Sequence, residues 1–498
     1  MAIPFNETPA TRLIGGHDIE VDPSFLNASD ADRPVVIVGG ITSDATVAQK
    51  TVQTVYGASH AAKLFGAGSQ LHNMVEFYRA LDPTGSLLCI GLDDAASSVA
   101  ATGNIVIAGT ATEAGTLDIY IGGEFEQAGA LKHVQVAVAN GDAHTAVATA
   151  LKTAIDALTM LPVTAGTVSV GTVPITANNK GTPGNSIPVV KEYRTGEKVP
   201  AGLTVTVPTM GSGATDPTLS EALAVLGDQP VLLVVHPYTD TTNLNGAKTW
   251  LDSAGTGRWA PGNHLGGHAI TASLNTASAL ETLGAARNDP AHTIFGLEKG
   301  SPSIPWCYAA HAAARLRQRI ETDPGRQHRG RTLPRILPAP IDKRFDAAER
   351  EALLDDGIST HTVVGGVVAI EQVVTTWQTD AQGQASDAFR YLTTRTNIDY
   401  QVQQIAALAA PYSDWKLGAD GSNFDDGQAV MTPKRWKGLL AGLALELEEA
   451  ALVESASTWL NNIIAEKNGS DPNRLDALFP PNLINNVRRF ATLVQPRA

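Results

Sequence analysis

Three runs in this 498-residue chain are apolar with no polar alternation: Val35-Val-Ile-Val38, Leu87-Leu-Cys-Ile90 and Val231-Leu-Leu-Val-Val235. A strand apolar on both sides must be covered on both sides, which requires helices above and below a sheet. The stretches between the runs have helical spacing. Helices are expected over 59–65 and 69–81, the second with Ser69 as N-cap and with Leu71, Met74, Val75 and Tyr78 on one face. The order strand, helix, strand predicts an α/β chain with a parallel sheet. The run ending at Val235 is the most hydrophobic and is expected at the sheet centre.

The alternation is interrupted from about residue 93 to 207, where Thr, Val, Ala and Gly dominate. Strands are expected over 104–109, 116–122, 133–139, 168–170, 173–177 and 203–207. One amphipathic helix covers 143–158, and 178–185 is a turn-rich loop. This reads as a β-rich module inserted into the α/β chain, a decoration on its surface. The α/β pattern then resumes, with helices at 219–226, 247–251, 276–287, 305–320 and 347–354 and strands at 267–271 and 293–296. Residues 362–376 read as two strands paired around Gly365-Gly366. Two long helices follow: 387–409, and one within 433–466 that starts with Thr432 as N-cap and Pro433 at N1. The runs 483–487 and 490–494 are strand-like. So is His17-Asp-Ile-Glu-Val21, inside an N-terminal stretch broken by Pro4, Pro9, Gly15, Gly16 and Pro23. A lone strand cannot hold itself, so each terminal strand must add to a sheet edge elsewhere.

Charge and motifs narrow the chemistry. The net charge is −14, which argues against a general nucleic-acid binder. The basic segment is 315–350, with ten Lys and Arg against five Asp and Glu, broken by Pro324, Pro334, Pro338 and Pro340. It reads as a solvated or subunit-facing linker. Cys89 and Cys307 lie in apolar surroundings and are expected as buried free thiols. The first residues lack a basic stretch followed by an apolar run, so no secretory leader is expected, and no run is long enough for a membrane span. A reducing cytoplasm is the expected place of synthesis. The chain has no nucleophile elbow, phosphate loop or dinucleotide fingerprint. His264 and His268 have zinc-ligand spacing, but two glycines lie between them and no third ligand is evident. Asp420-Gly-Ser-Asn-Phe-Asp-Asp426 has Phe424 at a ligand position of a calcium loop and reads as a surface turn. No catalytic, metal or cofactor site is expected. The orphan strands and low charge (17% DEKR) point instead to self-association.

Several stretches together identify a family. Residues 9–24 (PATRLIGGHDIEVDPS), 64–74 (LFGAGSQLHNM), 211–219 (GSGATDPTL), 346–360 (DAAEREALLDDGIST) and 375–400 resemble the tail sheath proteins of Mu-like contractile-tailed bacteriophages. The resemblance implies a multi-domain α/β (α+β) sheath fold with strand-exchange arms. Its parts would be an N-terminal arm (1–24), a discontinuous α/β core (25–92 and 208–360), the inserted domain (93–207), a tube-facing C-terminal domain (361–487) and a C-terminal arm (488–498). Six copies would form a ring around a tail tube. Stacked rings would shorten to drive the tube through the host envelope. The implied partners are other copies, the tail tube protein, and baseplate and tail terminator proteins at the ends, with no membrane or nucleic acid. The implied place is the virion, assembled in the host cytoplasm. Strand exchange falls on Asp18, Ile19, Glu20 and Val21 and on Phe490, Ala491, Thr492, Leu493, Val494 and Gln495. Lys434, Arg435 and Lys437 are candidate tube contacts. The competing readings are the sheath of a headless tail-like bacteriocin or other contractile injection system and, from another class, an α/β enzyme with an inserted lid.

Overall fold

In a computed structural model, residues 33–425 and 427–495 are described. The expected strand at 17–21, with Asp18, Ile19, Glu20 and Val21, lies outside the described residues. The centre is an eight-stranded sheet whose strands, in chain order, are β1 (Val35–Gly40), β2 (Val52–Thr54), β3 (Leu87–Leu92), β4 (Leu233–Val235), β5 (His268–Asn275), β6 (His292–Glu298), β7 (Ile358–Val364) and β8 (Val367–Gln372). Their spatial order is β8-β7-β6-β5-β4-β1-β3-β2. The six inner strands are parallel, and β2 and β8 close the sheet as antiparallel edges.

The apolar runs behave as two-sided strands. Val35 and Ile37 enter one core, with α1 (Gln70–Arg79) and α2 (Pro305–Thr322), while Val36 and Val38 enter another, with helices Leu219–Ala224 and Thr241–Trp250. Ser69 caps α1, its Oγ accepting from the His72 N–H at 3.2 Å. The strand ending at Val235 is central, as expected, although it spans only Leu233–Val235. Both cysteines are buried free thiols.

Besides a hairpin of Phe125–Gln127 with Ala130–Lys132, the inserted segment forms two sheets around the helix His144–Ala157. One has the order Leu203–Thr206, Ala100–Gly109, Thr172–Lys180, Val163–Ala165; the other has the order Val189–Lys191, Gly115–Ile121, Val134–Val138. It is no mere surface decoration, because its core side chains Ile105, Ile119, Val134 and Leu151 are continuous with those of α1 and α2. Residues 168–170 are not a strand: Val170 takes φ 45°, and only a bridge between Ser169 and Thr172 turns the chain. Asn178–Lys180, expected as loop, instead ends a strand.

The basic segment is also not a solvated linker; much of it is packed as a belt over the body. Arg317 Nη1 lies 2.7 Å from Asp82 Oδ2, which also accepts from the Tyr78 hydroxyl. Arg335 Nη2 lies 2.5 Å from Glu76 Oε1 and reaches the Glu124 carbonyl, and its guanidinium stacks over Phe77. Backbone N–H groups of Gly330 and Leu333 donate to the Ile370 and Val368 carbonyls, covering the outer edge of β8. The expected boundary at 360 falls inside β7, and the same sheet continues to Gln372.

Beyond the sheet, α3 (Leu392–Ala409) and α4 (Pro433–Glu449) flank a smaller core of Leu440, Leu443, Leu447, Val453 and Trp459. Helix α3 starts five residues later than expected, at Leu392. Its Asp399 pairs with Arg33 at 2.6 Å, tying this part to the start of β1.

Replacing Arg335 with Met leaves Glu76 buried and unpaired, at an expected cost of about 3–5 kcal/mol. Adding Glu76→Leu removes the stranded charge and should recover most of that. Urea unfolding of the two variants checks both statements.

Candidate assembly interface

In a doubly wound sheet a ligand crevice opens where strand order reverses, beyond the carboxyl ends of the strands. Here that point lies between β1 and β4, and both α1 and the insertion pack against the end of β1. The Gly40 N–H donates to Gln70 Oε1 at 3.0 Å, and Asn179 Nδ2 donates to the Ile41 carbonyl at 2.8 Å. A Cβ on Gly40 would lie 2.7 Å from Asn179 Nδ2, and one on Gly39 3.2 Å from the Leu71 Cα. Thr182 ties the insertion to Asp216 through its N–H (2.6 Å) and hydroxyl (2.5 Å). Burial, together with the neighbouring Asp240, pushes the Asp216 carboxyl up. The glycine pair that could admit a phosphate admits protein instead.

His268 is buried, with its Nε2 2.9 Å from Thr293 Oγ1, and His264, four residues before it, lies in a loop at φ 51°. Among the described residues, Asp118, His133 and Glu197 are the group of three His, Cys, Asp or Glu side chains close enough to share a metal ion. The acidic loop serves the fold: Asp420 Oδ1 accepts from the Lys434 N–H at 3.0 Å. Among the described residues, no helix is long and apolar enough to cross a membrane.

The surfaces left open are sheet edges and the chain end. Strand β2 is three residues long, with Val52 and Thr54 exposed. The hairpin Ile464–Lys467 with Leu475–Leu478 pairs only within itself and leaves Ile464 and Leu478 about half exposed. Sequence reading missed this hairpin and ran helix towards 466. The available signal was Asn468-Gly-Ser-Asp-Pro472, whose Asn468 Oδ1 accepts from the Ser470 and Asp471 N–H groups. Two isolated strands are marginal alone, and this pair leans on α4.

The chain end is anchored as far as Arg488, whose carbonyl accepts from Arg329 Nη1 at 2.9 Å, while Gln327 holds the Val487 carbonyl. The expected strand at 483–487 is reduced to one bridge, Leu483 to Val453. Phe490, Ala491, Thr492, Leu493, Val494 and Gln495 are exposed and belong to no sheet among the described residues. Phe490, Leu493 and Val494 are 87%, 82% and 78% exposed, more than an isolated apolar side chain has reason to be. At the start of α4, Thr432 Oγ1 accepts from the Arg435 N–H, with Pro433 at the first helical position, as expected. Arg435 stacks over Trp415, Lys437 reaches the Asn461 carbonyl at 3.5 Å, and Lys434 is exposed.

Comparison with known proteins decides the family. Residues 212–376 match the phage tail sheath protein central domain. The whole chain is 32% identical over 501 residues to the Mu-like prophage FluMu tail sheath protein of Haemophilus influenzae, covering 99% of each. The chain belongs to the Mu-like phage tail sheath family. Among solved structures, it aligns with a sheath tail protein of Desulfitobacterium hafniense at 12% identity (94% of this chain, 100% of that one, TM-score 0.48). It aligns with the contracted helical sheath of the anti-feeding prophage at 11% identity (98% and 100%, TM-score 0.48). Within this sheath chain, the central-domain match runs from the return of the insertion at Ser212 through β4 to β8 and the arginine belt.

The packed interior carries a pH signature. Burial pulls His72 down to about 4 and His292, His311 and His328 to about 3, and pulls His236 and His268 well below the ordinary range. In the unfolded chain each titrates near ~6.5. Between roughly pH 6.5 and 3 the unfolded state therefore binds more protons. Stability is whole above that window and falls as pH drops through it, by up to about 1.4 kcal/mol per pH unit per histidine. Urea midpoints should fall steadily from pH 7 to pH 4.5.

Proposed function

We propose that this chain is the structural, non-catalytic subunit of a contractile phage tail sheath. It polymerises with itself in sixfold rings stacked around a tail tube, and the sheath contracts to drive the tube through the host envelope. Its place is the tail of the virion, and its further partners are the tube protein and the proteins that close the sheath at either end. The observation that carries this reading is the end-to-end match to a prophage tail sheath protein. The packing of Asn179 against Gly40 and Ile41 at the switch point supports a structural role.

Strand exchange connects the copies in this reading. Residues 490–495 leave the body at Arg488, present Phe490, Leu493 and Val494 to solvent, and pair with a sheet edge on a neighbour. Residues 18–21 are the strand assigned to the same role at the other end of the chain, on the family resemblance. The hairpin 464–478 is the receiving edge best suited to them, being otherwise two strands wide with apolar side chains exposed. Lys434 and the α4 N-terminus face the tube, with Lys437 and Arg435 behind them.

The wild-type protein should form hollow tubes or sixfold rings in negative-stain microscopy. Small discrete particles with a ligand-induced melting shift would support an enzyme instead. Removing 488–498, or 1–24, should leave a body with unchanged circular dichroism that no longer forms tubes. Normal tubes from either truncation would refute the arm assignment. Reversing the charge at Lys434, Arg435 and Lys437 should weaken co-assembly with the tube protein while leaving self-assembly intact. Unchanged sheath–tube binding would rule out that contact.

A further inference from the structure

We propose that Asp118, His133 and Glu197 form a site for one divalent transition-metal ion, which clips the loop carrying Glu197 onto the three-stranded sheet of the insertion. The three side chains come from separate segments. Asp118 lies on the strand Gly115–Ile121, His133 directly precedes the strand Val134–Val138, and Glu197 sits between Val189–Lys191 and Leu203–Thr206. One ligand atom from each lies within 4.8 Å of the others, and all three residues are half-buried. Tetrahedral zinc bonds of ~2.0–2.2 Å place ligand atoms roughly 3.3–3.6 Å apart, which small side-chain rotations reach.

Each of the three donors is backed by a further polar group. A metal-bound imidazole usually gives its second N–H to a carboxylate, which fixes the ring and its tautomer. His133 has that arrangement. Its Nε2 lies 3.0 Å from Asp118 Oδ1 and its Nδ1 lies 3.4 Å from Glu124 Oε1. Glu124 is itself held by Arg194 Nη2, at 2.7 and 2.8 Å from its two oxygens. The imidazole stacks on Tyr120 with centroids 4.1 Å apart. The Tyr120 hydroxyl donates to Glu197 Oε1 at 2.6 Å, and the Arg194 N–H donates to Glu197 Oε2 at 2.9 Å. Gln135 Nε2 donates to Asp118 Oδ1 at 2.8 Å. Every ligand is thus oriented by a second group. One imidazole and two carboxylates suit Zn²⁺, Mn²⁺, Co²⁺ or Ni²⁺ and offer no thiolate for Cu(I). Three protein ligands leave a position for water.

The test uses the full-length protein, stripped with a chelator and dialysed. Titration with Zn²⁺ should show one saturable site, and Co²⁺ should give the visible bands of a four- or five-coordinate ion. Asp118→Asn, His133→Gln and Glu197→Gln, each checked for folding by circular dichroism, should each weaken Zn²⁺ binding at least tenfold. Two results would overturn the proposal: a wild-type Co²⁺ spectrum no different from the aqueous ion, or binding that all three variants retain. The wild-type spectrum decides the matter even if a variant fails to fold.

Discussion

The ion pair between Arg335 and Glu76 joins parts of the chain that could otherwise come apart. Glu76 sits on α1, against the central sheet, and Arg335 belongs to the arginine belt. The Glu126 N–H of the insertion donates to the same Glu76 oxygen, and the Glu124 carbonyl accepts from Arg335. Burial pushes the Glu76 carboxyl up against the pull of Arg335. Such a pair adds little net stability over an apolar substitute, yet losing one member is costly. It therefore acts as a register pin: belt, helix and insertion fit together in one way.

That pinning has a consequence for a sheath subunit. The insertion packs against the end of β1 at the switch point, and its core merges with that of the body. In the proposed role, contraction would draw on energy stored when the sheath assembles. In that role the bodies would move as near-rigid units while the terminal strands keep neighbours connected. Rearranging interfaces is cheaper when few desolvated charges must find new partners. A chain with 17% charged residues, with Arg258, Arg287, Arg317 and Arg395 buried, is built along those lines.

The central sheet was legible because its strands are short and apolar on both sides. The caps at Ser69 and Thr432 were legible because capping chemistry is local. The arginine belt was not. A run of Arg broken by Pro looks solvated until its partners are known, and Asp82 and Glu76 lie far upstream. Asn179 was misread for a similar reason: an Asn-Asn-Lys-Gly run signals a turn, but the strand persists because its side chains bond across the switch point. The hairpin at 464–478 was hidden behind a long helical pattern and betrayed only by its turn. Of the candidate assembly residues, 490–495 could be picked out as a strand without a partner. What they pair with depends on another copy and is not written in one chain.

Cross-linking between copies tests the central claim most directly. One preparation carries Phe490→Cys and a second, separately tagged, carries Leu478→Cys; the native Cys89 and Cys307 are buried and inert. After co-assembly and mild oxidation, disulfide-linked heterodimers carrying both tags should appear in the polymer and be absent below the assembly concentration. Polymers that form normally but yield no heterodimer with position 478, or with other cysteines placed along either hairpin strand, would contradict the account.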